Sequence, residues 1–110
     1  MNDLVSRLCT GDHPVSVSLR PNSDIPTLRE CLGRNYVHIK FTGTRGGTEL
    51  GVRLDPSATD LSAADFESRS GSIRLVGGLK LDYVKVRCIA EIDLKTLEGK
   101  GHLEVAEEVN

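Results

Sequence analysis

The sequence predicts an α+β fold, a mainly antiparallel twisted sheet of about five to six strands with two or three short helices packed on one face. Three observations predict it. Apolar and polar residues alternate with period two in several stretches, most cleanly where Val37, Ile39 and Phe41 interleave with Tyr36, His38 and Lys40. Glycine pairs, Gly46-Gly47 and Gly77-Gly78, stand between such stretches, where tight turns need positive φ. Short segments with helical spacing, each closed by a glycine, fall among them. A split βαββαβ ferredoxin-like arrangement with a C-terminal hairpin is the runner-up, but its helices must cross a sheet and these are short for that.

Taken in order, Asp3 to Cys9 offers an N-cap acid, apolar Leu4, Val5, Leu8 and Cys9, and Gly11 as a stop, a short amphipathic helix. Residues 14–20 form a strand, with Val15, Val17 and Leu19 alternating with Ser16 and Ser18 before Pro21. Ser23 or Asp24 caps a second helix that accepts Pro26 in its first turn, places Leu28, Cys31 and Leu32 on one face and ends at Gly33. Tyr36 to Phe41 is the next strand. It turns at Arg45-Gly46-Gly47-Thr48 into a strand carrying Leu50, Val52 and Leu54. With Gly46 and Gly47 central, Phe41 opposes Val52 and Ile39 opposes Leu54.

Pro56 and Ser57 break the pattern, and Ser62-Ala63-Ala64-Asp65 opens a short third helix through Phe66 to about Arg69, ended near Gly71. Ile73 to Val76 is a short strand, and Gly77-Gly78 permits a turn or bulge. Leu79, Leu81 and Tyr83 then alternate, and the phase shifts to Val84, Val86, Cys88, Ala90, Ile92 and Leu94, one long strand with a bulge near Asp82. A final hairpin closes around Glu98-Gly99, pairing Leu94 with Leu103 and Ile92 with Val105, with Gly101 able to bulge.

A length of 110 residues suits one domain, residues 1–110, ending in a frayed acidic tail at 106–110. The longest apolar run, Cys88-Ile89-Ala90, is far below the roughly 20 residues of a membrane-spanning helix. The N-terminus lacks the apolar stretch of a secretory signal, and Cys9, Cys31 and Cys88 read as reduced, buried thiols, so a cytoplasmic location is expected. A net charge of −2 disfavours nucleic-acid binding, and the positive balance lies in the first half, +2 over residues 1–54 against −4 over residues 55–110. No CxxC, P-loop or dinucleotide fingerprint is present, Arg45-Gly46-Gly47 reads as turn chemistry, and no cofactor is implied.

The densest polar cluster lies on the outward face of the first hairpin. The inferred register sets His38 across from Asp55, Lys40 across from Arg53, and Tyr36 nearby. Opposed Lys40 and Arg53 repel unless an anion shares them. A carboxylate beside His38 orients an imidazole as general base, with Tyr36 as a hydrogen-bond donor, yet a nucleophile is missing. A second patch gathers Glu91, Asp93, Glu104 and His102, but flat strands converge poorly on a cation and Lys95 neutralises it, so no metal is expected.

The leading expectation is therefore a small non-catalytic binding module, an accessory or regulatory subunit or an inhibitor, contacting a protein partner through its sheet face or edge. Self-association through the long edge Val84 to Leu94 is a related expectation. The alternative is a small enzyme or ligand-binding domain that uses Tyr36, His38, Lys40, Arg53 and Asp55 on an anionic small molecule.

Overall fold

In the computed structural model, which describes residues 3–19, 24–44, 46–81 and 84–108, the alternating stretches become six strands and the early helical segments two helices. In chain order they are α1 (Asp3–Leu8), β1 (His13–Ser18), α2 (Ile25–Gly33), β2 (Tyr36–Phe41), β3 (Thr48–Leu54), β4 (Ser72–Leu81), β5 (Val84–Asp93) and β6 (Glu98–Glu108). Each strand pairs antiparallel with the next, and β6 returns to pair with β1 through His13 opposite Gly101 and Val15 opposite Gly99, closing a barrel.

The fold class is thus corrected. The protein is a closed antiparallel barrel, not an open α+β sheet with helices on one face, and the βαββαβ runner-up fails with it. Period-two alternation says that one face of each strand is buried and is silent about what buries it. Here the cover is the rest of the same sheet. Val15, Val17, Val37, Ile39, Phe41, Val52, Leu75, Cys88, Ile92 and Leu103 meet inside, joined by Val5 and Leu8 of α1 and Ile25, Leu28 and Cys31 of α2. Closure leaves a sheet fewer edges to protect, which two small helices could not have covered.

Both hairpin registers differ from expectation. Phe41 lies opposite Thr48, Ile39 opposite Leu50 and Val37 opposite Val52. In the second hairpin Ile92 lies opposite Gly99 and Cys88 opposite Leu103, because the chain turns at 94–97 and Glu98 already begins β6. Each shift is an even number of residues, so every side chain keeps its expected face while every cross-strand neighbour changes.

Glycines read as turn residues turn out to sit within strands. At Gly77 a β-carbon would overlap the Arg53 carbonyl, and at Gly99 the Glu91 carbonyl, so both allow neighbouring backbones to close the curved wall. The second turn instead uses Leu97, at φ 61°, a strained conformation for a residue with a β-carbon, held by burying Leu94 and Leu97 in the core. Gly77-Gly78 is no turn: β4 runs through it and pairs with β5 from Leu81 opposite Val84 to Ser72 opposite Asp93. The expected single strand from Leu79 to Leu94 is therefore two strands. The expected strand edge, Val84 to Leu94, is β5, hydrogen-bonded on both sides from Val84 to Asp93. The bulge expected near Asp82, with Tyr83, lies outside the described residues; a register shift occurs between Lys85 and Val86 against β6. β6 reaches Glu108, into the expected tail, and 109–110 lie outside the described residues.

The second helix starts as expected, at Asp24, whose carboxylate accepts from the Thr27 N–H at 2.9 Å. The third helix does not form. Asp55, Asp60 and Asp65 recur at a spacing of five, and each folds its carboxylate onto a backbone N–H two residues on, Ser57 at 3.0 Å, Ser62 at 2.9 Å and Glu67 at 3.1 Å. Such side chains offer the backbone an alternative to helical bonding, and in succession they bend 55–71 into a string of turns. Thr59 holds this string to the barrel by bonding the backbone of Val76, and Phe66 packs beneath the Arg29 guanidinium.

Candidate functional site

Because the barrel interior is filled by its own side chains, the chemistry-bearing groups stand on the outer wall. On β1, β2 and β3 the outward positions form rows: Ser18 opposite His38 opposite Gly51, Ser16 opposite Lys40 opposite Glu49, and Tyr36 opposite Arg53. The rings of Tyr36 and His38 meet edge to face, centroids 5.3 Å apart, over Gly51. A β-carbon at Gly51 would overlap the Tyr36 hydroxyl and stand 3.5 Å from His38 Nε2.

The expected cluster of Tyr36, His38, Lys40, Arg53 and Asp55 is divided. Tyr36 and His38 stay together and Arg53 remains beside Tyr36, but Lys40 faces Glu49 rather than Arg53, and its stem lies over Gly47. The like-charge repulsion that argued for a shared anion is absent. Asp55 is far from its inferred place across from His38: it accepts from the Ser57 hydroxyl at 2.6 Å and pairs with Arg87 at 3.4 Å. Those Ser57 bonds, and more weakly Arg87, hold its carboxyl below the usual carboxylate range. No His38–Asp55 dyad forms.

Two surroundings of these residues escaped the sequence reading. Behind His38, a pocket of about 190 Å³ is lined by Ser18, Cys31, Arg34 and His38. Arg34 Nη2 donates to Cys31 Sγ at 3.6 Å, and the Ser18 hydroxyl donates to the Glu49 carboxylate. The available signal was the i, i+3 spacing of Cys31 and Arg34, which places both at one end of α2. Beyond Arg53, a shallow groove of about 480 Å³ crosses β3, β4, β5 and β6, with Leu54, Gly78, Leu79, Val86 and Ala106 along it and Arg53, Asp55 and Lys85 at its margin. The cross-strand row Arg53, Gly78, Arg87 makes this hollow, because the middle position lacks a side chain.

The second expected patch is also rearranged. Glu91 lies between Arg74 and Lys100, Asp93 caps the Lys95 N–H at 2.7 Å, and His102 stands between Asp12, 3.4 Å from Nδ1, and Glu104, 3.2 Å from Nε2. Among the described residues no group of three or more metal-ligating side chains converges, and no helix is long and apolar enough to cross a membrane. No protein-family model matches the sequence, and no curated protein shows significant similarity to it.

Proposed function

We propose that the protein is a non-catalytic binding module that holds an extended acidic segment of a partner protein in the groove over Gly78. The observation that carries this reading is the groove's lining, the half-buried Leu79 and exposed Ala106 around the gap at Gly78 with cationic Arg53 and Lys85 beside them, while Leu54 and Val86 beneath keep their side chains in the core. Apolar surface bordered by charge is the usual anatomy of a protein interface. Charge decides the occupant. Arg53 and Lys85 both line the groove, and cations at such a surface favour an anionic segment over a cationic one. Asp55, the carboxylate among the described lining residues, is engaged by Ser57 and Arg87. The division of Tyr36, His38, Lys40, Arg53 and Asp55 between two surfaces removes the constellation on which a catalytic reading depended.

Titration with two fluorescent peptides, one alternating Glu and Val and the other Lys and Val, tests the reading. The Glu–Val peptide binds, and the double variant Arg53→Glu, Lys85→Glu weakens it at least about tenfold, the scale of losing close charge complementarity. Binding of neither peptide, or equal binding by wild type and variant, overturns it.

A further inference from the structure

The ladder between β3 and β4 stops early, and from this seam we infer that the acidic segment enters as an added strand, its backbone hydrogen-bonded to β3 on one side and β4 on the other. The inference rests on the groove being the site of such a segment, because the seam opens from the groove's own residues Arg53 and Gly78. β3 runs from Thr48 to Leu54 and β4 from Ser72 to Leu81, yet among the described residues they pair only at Arg53 opposite Gly78 and Leu54 opposite Gly77. Every other ladder of the barrel has four pairs or more. Continued in the same register, this one would set Val52 against Leu79 and Gly51 against Lys80. Neither pair forms among the described residues.

The backbone at the seam points the right way. The Leu54 N–H donates to the Asn35 carbonyl, beside β2, and the Asp55 N–H donates to the Val76 carbonyl of β4, both at 2.8 Å. Backbone groups alternate between the two edges of a strand, so Gly51 turns its N–H and C=O toward β4, and Lys80 turns its own toward β3. Strand addition uses donors and acceptors presented in this way. Side chains decide which segment fits. Leu50, Val52, Leu79 and Leu81 face the core, the last two only half-buried, while Arg53 and Lys80 stand exposed on the outer wall. A strand that alternates acidic and apolar residues lays its apolar side chains over Leu79 and Leu81 and its carboxylates beside Arg53 and Lys80. Glu49, on the same outer face, accepts from the Ser18 hydroxyl. A cationic segment would instead set like charges against Arg53 and Lys80.

The test compares the Glu–Val peptide with two modified forms, one N-methylated at every Glu and the other at every Val, so that each form lacks the donors along one edge of the strand. Amide exchange at Gly51 and Lys80 is followed by NMR in the same titrations. The unmodified peptide slows exchange at both amides, and each methylated form binds at least about tenfold more weakly, the scale of lost backbone hydrogen bonds. Equal binding of all three forms, with exchange at Gly51 and Lys80 unchanged, overturns the added strand and leaves an acidic segment held in the groove by side chains. Weakening by one methylated form alone overturns pairing with both edges. Binding of no form overturns the groove reading itself, and the added strand with it. A dimer in sedimentation whose Gly51 amide is protected before peptide is added puts a second copy in the seam and overturns the assignment to a partner segment.

Discussion

At the residue scale, what a side chain meets depends on whether its neighbour is another side chain's tip or a backbone. Gly51 and Gly99 make the contrast. A β-carbon at Gly51 meets the hydroxyl of Tyr36, which is 41% exposed and free to swing outward, whereas one at Gly99 meets the Glu91 carbonyl, fixed in the β5–β6 ladder. Gly51→Ala is therefore tolerated, within roughly 0.5 kcal/mol, the usual range for surface changes. It separates the Tyr36 and His38 rings, seen as a shift in the His38 ring-proton resonances. Gly99→Ala forces the wall apart and lowers stability by about 3 kcal/mol or more, at the upper end of overpacking effects. Urea unfolding of both variants checks this, and equal losses contradict it. The sequence makes these glycines look alike, since the reason for each lies on a different strand.

At the scale of elements, alternation made β1, β2 and β3 and the first two helices readable, because strand parity and an N-cap such as Asp24 are local properties. Registers were not readable. An even slip leaves the buried set unchanged, so Phe41 serves as well opposite Thr48 as opposite Val52 until the turn is known. The candidate cluster depended on that register, which is why Asp55 was assigned to His38 and is found with Arg87. The string at 55–71 was misread because Ser-Ala-Ala-Asp suits a helix start, while the recurring aspartates favour turns.

Those aspartates give this element a pH dependence. Hydrogen bonds, led by Ser57 for Asp55, Ser62 for Asp60 and Ser68 for Asp65, lower each carboxyl's folded pKa beneath its unfolded value. A depressed carboxyl stabilises fully above the unfolded pKa, about 3.9, and loses that contribution as pH falls through the folded value. Amide exchange at 57–70 accelerates below about pH 4, relative to amides in the β4–β5 ladder, when corrected for intrinsic exchange. Uniform acceleration across the chain contradicts this.

At the scale of the whole molecule, closure organises everything else. A wall whose inward side chains fill the barrel must present its polar chemistry outward, which sets the groove over Gly78 and the Cys31 pocket on the outside. Closure was also the least legible feature, since it depends on β1 and β6, the strands most distant in sequence, and no local pattern in either announces the other. The pairing of β1 with β6 is accordingly the claim to test first. Two-dimensional and isotope-edited NMR of the folded protein predicts cross-strand contacts between Val15 and Gly99 and between His13 and Gly101, with slowly exchanging ladder amides on both strands. Rapid exchange along the β1 and β6 edges, with contacts only between sequential strands, describes an open sheet and contradicts the barrel.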